Sequence, residues 1–195
     1  MSIFDEPKID CHNHIFDPVR FPYRPDTHYR PAGQECGSAQ LFMQVLDAYG
    51  VRHALVVGPN SGYDTDNRCL LDAIAQSDGR FKGIAVVDNA CSFDALVALQ
   101  AQGIVGVAFN PAFLGTAHYA GTAPLLAMLS QLGMLLQVQV EKDQLPELVP
   151  LLDGTRTHDE IAQDLAALSG APLDEVRRGL PGSLNWLASL ALLEA

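Results

Sequence analysis

The sequence predicts an α/β protein whose first three quarters alternate short strands with amphipathic helices. Five runs rich in Val, Ile, Leu and Ala recur at intervals of about 30 residues, which is the length of one βα unit. Stretches with apolar residues at helical spacing separate these runs, and a glycine closes each stretch. Successive βα units build a parallel sheet, either doubly wound or closed as a (β/α)8 barrel.

The five predicted strands are residues 8–12, 53–57, 83–87, 105–109 and 134–140. The four predicted helices between them are residues 38–49, 66–76, 93–101 and 122–132. The glycines that follow these helices are Gly50, Gly79, Gly103 and Gly133. Glycine adopts the left-handed conformation that commonly ends a helix, so each of the four is predicted to be a C-terminal cap.

The character of the sequence changes near residue 153, where strand patterns stop. A capping-box pattern opens a predicted helix at Thr157, and further helices are predicted from Pro172 and from Ser183. We therefore predict two domains, a sheet-containing part at residues 1–152 and a small all-helical module at residues 153–195.

Composition and charge argue against several classes of partner. The formal net charge of −11 comes from 23 acidic and 12 basic side chains, and this field repels phosphate backbones and anionic lipids. We therefore expect neither nucleic acid nor a membrane as partner, and no apolar run approaches the roughly 20 residues that cross a bilayer. The four cysteines form no CxxC pair and the N-terminus does not resemble a signal peptide, which predicts a cytoplasmic protein with reduced thiols.

The stretch DCHNHIFDP holds the most informative pair of side chains, His12 and His14. Side chains at positions i and i+2 of a strand point to the same face, so both rings project from the carboxyl end of the first strand. Enzymes with parallel sheets place their chemistry at that end. Two neutral imidazoles can bind a divalent ion or polarise a carbonyl oxygen, whereas the alternative is a pair of solvated or capping histidines.

Two further groups of residues are weaker candidates. Glu141 shares a predicted strand face with Gln137 and Gln139 and could complete a metal set with the two histidines, because amides are poor zinc ligands; the alternative is a solvated charge at the strand end. The stretch GYDTDN holds Tyr63, Asp66 and Asn67, which could orient a polar substrate. The alternative is a helix entry in which Asp64, Thr65 or Asp66 caps the following helix.

Three stretches of the sequence resemble the amidohydrolase superfamily. DCHNHIFDPVRFPYRPDTHYRPAG is similar to the opening of its amidohydrolase-related branch, the branch of enzymes like 2-pyrone-4,6-dicarboxylate lactonase. PNSGYDTDNRCLLDAI resembles the element after the second strand, and GIVGVAFNP resembles the fourth strand, which ends at Asn110. The resemblance runs to about residue 152. The tail is similar to PqqD-like and winged-helix modules over a short stretch.

The resemblance implies a TIM-barrel hydrolase that adds water to the carbonyl of a small lactone, ester or amide. The catalytic residues that it implies are His12 and His14. The implied substrate-binding residues are Tyr63, Asp66, Asn67 and Asn110. The resemblance also implies a metal, zinc or manganese, beside His12 and His14, and the predicted set of His12, His14 and Glu141 takes its third ligand from the strand-face pattern and not from the family. The branch also includes lactonases that resemble metal-independent enzymes, so the absence of a metal is the alternative.

The count of strands departs from the family, because five are predicted where a (β/α)8 barrel has eight. We therefore predict an incomplete TIM-barrel-like sheet whose open side is covered by the tail helices or by a second copy of the chain. No counterpart of the family's aspartate base on the eighth strand is present. The predicted function is hydrolysis of a small carbonyl substrate, and the alternative is a non-catalytic binding or interaction protein derived from a truncated barrel.

Overall fold

The computed structural model describes residues 6–142, 144, 163, 166 and 172–179. The chain divides into two compact units, Met1–Leu145 and Pro146–Ala195. In the second unit, residues 173–179 are helical, as the sequence pattern after Pro172 predicts. The predicted domain boundary after residue 152 and the predicted helices from Thr157 and Ser183 lie outside the described residues and stay predictions.

Five parallel strands form one sheet in the first unit. They are β1 Lys8–Asn13, β2 Val51–Val57, β3 Phe81–Ala85, β4 Ile104–Phe109 and β5 Leu135–Val138. Their order in the sheet is β1-β2-β3-β4-β5. A doubly wound sheet reverses its strand order at a switch point, whereas a barrel keeps the order of the sequence. The observed order therefore selects the barrel alternative and confirms the predicted incomplete TIM-barrel-like sheet.

Five helices connect the strands. They are α1 Ala39–Ala48, α2 Arg68–Gln76, α3 Phe93–Ala101, α4 Pro111–Leu114 and α5 Ala123–Leu132. Ser38 and Ser92 cap α1 and α3, since each side chain accepts a backbone N–H in the first turn. Gly133 has a left-handed φ of 63° at the end of α5, as its predicted capping role requires. The short α4, which the sequence pattern did not reveal, starts where the Asn110 side chain accepts the N–H of Phe113.

The hydrophobic core lies between the helices and the outer face of the sheet. α1 packs on β2, α2 on β3, α3 on β4 and α5 on β5. Phe81, Leu96, Ile104 and Leu125 are fully buried there. No described helix is both long enough and apolar enough to cross a membrane.

The sheet is strongly curled, as a contact between its first and last strands shows. Neighbouring strands lie about 4.8 Å apart, so β1 and β5 would be separated by about 19 Å in a flat sheet. The side chains of His12 on β1 and Gln137 on β5 nevertheless approach to 2.6 Å. The curl thus brings the carboxyl ends of the two edge strands to opposite walls of one cleft. What covers the open side of the sheet stays a prediction.

Candidate functional site

A cleft of about 220 Å³ lies at the carboxyl ends of the strands. Its walls come from the ends of β1, β2, β4 and β5 and from the loops that follow them. The polar side chains of the lining are imidazoles, amides and one hydroxyl, and they are His12, His14, His28, Asn60, Ser61, Asn110, Gln137 and Gln139. The structure thus brings together three of the predicted site residues, which are His12, His14 and Asn110.

His12, on β1, and His14, which directly follows β1, stand side by side in the cleft. Their ring centroids are 5.0 Å apart and the rings are nearly perpendicular, at 79°. Nδ1 of His14 lies 2.8 Å from the carbonyl oxygen of Val57. A carbonyl oxygen can only accept, so neutral His14 carries its proton on Nδ1 and keeps a lone pair on Nε2.

The pKa of His14 is lowered from its ordinary value of 6.5. Desolvation of the ring is the largest cause, and the nearby charge of His12 also acts in this direction. The hydrogen bond to Val57 raises the pKa but does not outweigh the desolvation. The lowered pKa favours the neutral form of His14, whose Nε2 can accept a proton.

Asn110 and Asn60 form a second wall of the cleft. The Asn110 amide donates to Oδ1 of Asn60 at 2.9 Å and accepts the backbone N–H of Phe113 at 3.1 Å. The Asn110 backbone N–H donates to the hydroxyl of Tyr119 at 2.8 Å. These bonds hold the end of β4 against the loop after β2, so the wall is formed before a ligand arrives.

His28 and Phe113 close the side of the cleft where two loops meet. Their rings are stacked with centroids 4.0 Å apart. His28 comes from the loop after β1, and Phe113 lies on α4 after β4. Both residues are exposed and both line the cleft, so the stacked pair forms part of its edge.

Three residues predicted to bind substrate lie outside the lining of the cleft. Tyr63 is 2% exposed, and its hydroxyl accepts the backbone N–H of Asp17 at 3.0 Å. Asp66 pairs with Arg68 at 2.7 Å and also accepts its backbone N–H at the start of α2. The Asn67 amide bonds to the backbone just beyond β3. These contacts support the fold around the site, and a role of the three residues in substrate binding stays a prediction.

The predicted metal set is not assembled by the described residues. Within them, no group of three or more His, Cys, Asp or Glu side chains could hold a metal ion. The Glu141 side chain is 62% exposed and lies 3.9 Å from Lys142. A zinc site needs at least three protein ligands. Of the three imidazoles that line the cleft, His12 and His14 lie side by side, whereas His28 is stacked on Phe113 and does not form a three-ligand group with them among the described residues. The donor set therefore does not fit a complete metal site, and a bound zinc or manganese ion stays a prediction.

Gln137 is the residue of the cleft whose importance the sequence analysis missed. Its amide nitrogen lies 2.6 Å from Nδ1 of His12. The alternation in LQVQV places Gln137 and Gln139 on one strand face, which was a usable signal. The pattern does not single out Gln137 as a functional residue, because amides are poor zinc ligands.

Comparisons with known proteins identify a family and several similar proteins. The sequence profile of the amidohydrolase family matches residues 9–156. The chain is 34% identical over 103 residues to a 2-pyrone-4,6-dicarboxylate hydrolase of Comamonas testosteroni, a match covering 52% of this chain and 32% of that relative. It is 31% identical over 105 residues to a 4-sulfomuconolactone hydrolase of Rhizobium radiobacter, covering 52% of this chain and 34% of that one.

A solved structure extends the similarity to the fold. It is a probable 2-pyrone-4,6-dicarboxylic acid hydrolase from Acinetobacter baumannii with citric acid bound, and it superimposes with a TM-score of 0.66 at 31% identity. The match covers 76% of this chain and 55% of that structure. Alignments to the two curated relatives span about a third of their length. Since the family profile matches well over half of the sequence, the chain belongs to the amidohydrolase family.

Proposed function

We propose that this chain hydrolyses a small cyclic ester in the cleft formed by β1, β2, β4 and β5. The observation that carries the proposal is the pairing of His12 and His14, whose rings lie 5.0 Å apart at the carboxyl end of a parallel sheet. Nδ1 of each ring is held by the protein, which leaves Nε2 of each ring for a ligand. This end of the sheet is where barrel enzymes act on their substrates.

In one hydrolytic step, one ring can act as the general base and the other as a hydrogen-bond donor to the substrate. His14 accepts a proton at Nε2 from a water molecule while the oxygen of that water forms a bond to the ester carbonyl carbon. His12 donates a hydrogen bond to the carbonyl oxygen, where negative charge develops. The ring C–O bond then breaks, His14 returns its proton to the leaving oxygen, and the product is one open-chain hydroxy acid.

The size of the cleft and the names of the relatives support a small lactone as substrate. A volume of about 220 Å³ is below the roughly 300–1,000 Å³ typical of pockets for drug-sized ligands. The two relatives are named for hydrolysis of a pyrone dicarboxylate and of a sulfomuconolactone, and both names denote cyclic esters. The amide of Gln139 lines the cleft and could bind a polar substituent on the ring, whereas the Asn60 amide is already bonded to Asn110 and Asp64.

The proposal is tested by mixing the purified chain with each of a panel of lactones and measuring the acid that hydrolysis releases at constant pH. The panel includes 2-pyrone-4,6-dicarboxylate and uncharged five- and six-membered lactones. Saturable, enzyme-dependent acid release supports the proposal. Calorimetric binding of the same compounds without turnover supports the alternative, a non-catalytic binding protein. A cytoplasmic location, a homo-oligomer and the absence of nucleic-acid and membrane partners also stay predictions.

A further inference from the structure

The contact between Gln137 and His12 determines which nitrogen of the His12 ring carries the proton. The amide nitrogen of Gln137 carries two hydrogens and has no lone pair to share, so it can only donate. Nδ1 of His12, at 2.6 Å, must therefore accept. A neutral imidazole with an accepting Nδ1 carries its single proton on Nε2.

We propose that Gln137 is a positioning residue that holds His12 in the tautomer with its proton on Nε2. The catalytic meaning of this inference rests on the proposed function, but the tautomer itself is a property of the free protein. In the cleft, a donor on His12 then stands beside an acceptor on His14. A carbonyl oxygen and an attacking water require one group of each kind.

The buried part of the Gln137 side chain favours the orientation that donates to His12. Its carbonyl oxygen Oε1 is buried and has no hydrogen-bond partner among the described residues. Rotating the amide by 180° would place the NH₂ group, with two hydrogens, where one unpaired oxygen now lies. Buried N–H groups without partners are rarer in proteins than buried oxygens without partners, so the rotated amide is the costlier arrangement.

The backbone of the sheet holds Gln137 in place. Gln137 is paired with Ala108 in the parallel register of β4 and β5. Gln139, which directly follows β5, also lines the cleft but forms no hydrogen bond to His12 in the described part of the chain. The chain thus contains its own control position, two residues away with the same side chain.

Different hydrogen-bond partners hold the two histidines in opposite tautomers. His14 donates from Nδ1 to the carbonyl oxygen of Val57, whereas His12 accepts at Nδ1 from Gln137. A glutamate in place of Gln137 could only accept when ionised, so it would draw the proton of His12 to Nδ1. The substitution Gln137→Glu therefore tests the inference by reversing it.

The experiment is nitrogen-15 NMR of the histidine rings in the purified chain at a pH where they are neutral. Protonated and unprotonated ring nitrogens have well-separated shifts, and His12→Gln and His14→Gln spectra assign the signals. We expect His12 to show a protonated Nε2 in the native chain and a protonated Nδ1 in Gln137→Glu. His14 should show a protonated Nδ1 in both.

Two matched variants separate the effect of the Gln137 hydrogen bond on the His12 tautomer from the effects of charge and of side-chain size. Gln139→Glu adds the same charge to the same strand face and should leave the His12 tautomer unchanged. Gln137→Met keeps the bulk without the donor and should shift the His12 signals toward an average of both tautomers. A native His12 protonated on Nδ1, or a His12 pattern that Gln137→Glu does not alter, would overturn the inference.

Turnover of lactones is a separate readout. If Gln137→Glu reverses the tautomer and lowers kcat with little change in KM, both the inference and the proposed function are supported. If the tautomer reverses but no form of the chain turns over a lactone, the inference holds and the proposed function fails.

Discussion

The side-chain amide of Asn67 bonds to both backbone polar groups of Val86. Its Nδ2 donates to the Val86 carbonyl oxygen at 2.8 Å, and the Val86 N–H donates to its Oδ1 at 3.3 Å. Asn67 lies immediately before α2, and Val86 follows β3 and is buried. One side chain therefore joins the loop after β2 to the end of the neighbouring strand.

Removing this amide should destabilise the fold. Asn67→Ala leaves two buried backbone groups of Val86 without partners, which we expect to lower the free energy of unfolding by about 1–3 kcal/mol. Asn67→Asp keeps the acceptor and loses the donor, so its effect should be smaller. Urea denaturation measures both. An unchanged urea midpoint for Asn67→Ala would show that the amide does not support the fold.

The packing at Gly106 sets the distance between the last two strands. A methyl group on this residue would lie 2.5 Å from the Leu135 carbonyl oxygen and 2.8 Å from Cδ1 of Ile84. We expect Gly106→Ala to lower the free energy of unfolding by about 1–3 kcal/mol, because the strands must separate. Gly121→Ala is the control, since no atom would lie within 4 Å of the added methyl group. Equal urea midpoints for the two variants would contradict this account.

The lowered pKa of His14 can be measured directly. The ring proton signal of His14 should titrate at lower pH in the folded chain than in the chain unfolded by urea, because desolvation disfavours the charged ring. The unfolded state then binds more protons below its own pKa of about 6.5, so stability is lost as pH falls through that value toward the folded pKa. A folded midpoint at or above the unfolded one would rule out the neutral His14 of the proposed step.

The affinity for zinc should depend on which residue, Gln or Glu, stands at position 137 beside Nδ1 of His12. His12 and His14 lie together in the cleft, but no group of three or more His, Cys, Asp or Glu side chains among the described residues could hold a metal ion, so we expect the native chain to bind zinc weakly. Gln137→Glu should bind zinc about 10–100-fold more tightly, because a carboxylate that accepts Nδ1–H directs Nε2 to the metal. Equilibrium dialysis followed by elemental analysis measures this. One zinc or manganese per native chain, lost in His12→Ala/His14→Ala, would instead establish the predicted metal pair.

The strands and helices could be predicted because their signals are local. Runs of Val, Ile and Leu mark β2 to β4, and Gly133 marks the end of α5. Local patterns carry no information on strand order, so the barrel and the doubly wound sheet could not be separated by periodicity. The resemblance to the amidohydrolase family favoured the barrel, and the observed order confirms it.

Part of the site was predictable for the same reason. His12 and His14 are two residues apart, so strand geometry alone placed their rings together. Gln137 is separated from His12 by 125 positions, and their contact depends on the curl of the whole sheet. In GYDTDN, the local pattern could not show that Tyr63 would be buried or that Asn67 would bond to a neighbouring strand.

The most direct test of the proposed hydrolysis compares lactone turnover by the native chain with that by His14→Gln. The control is His53→Gln, an exposed residue on β2 that does not line the cleft. We expect His14→Gln to lower kcat by about 10²–10⁴-fold, the usual contribution of a general base, and His53→Gln to leave it unchanged. Equal kcat values for the native chain and His14→Gln would contradict the central claim that the histidine pair performs the hydrolysis.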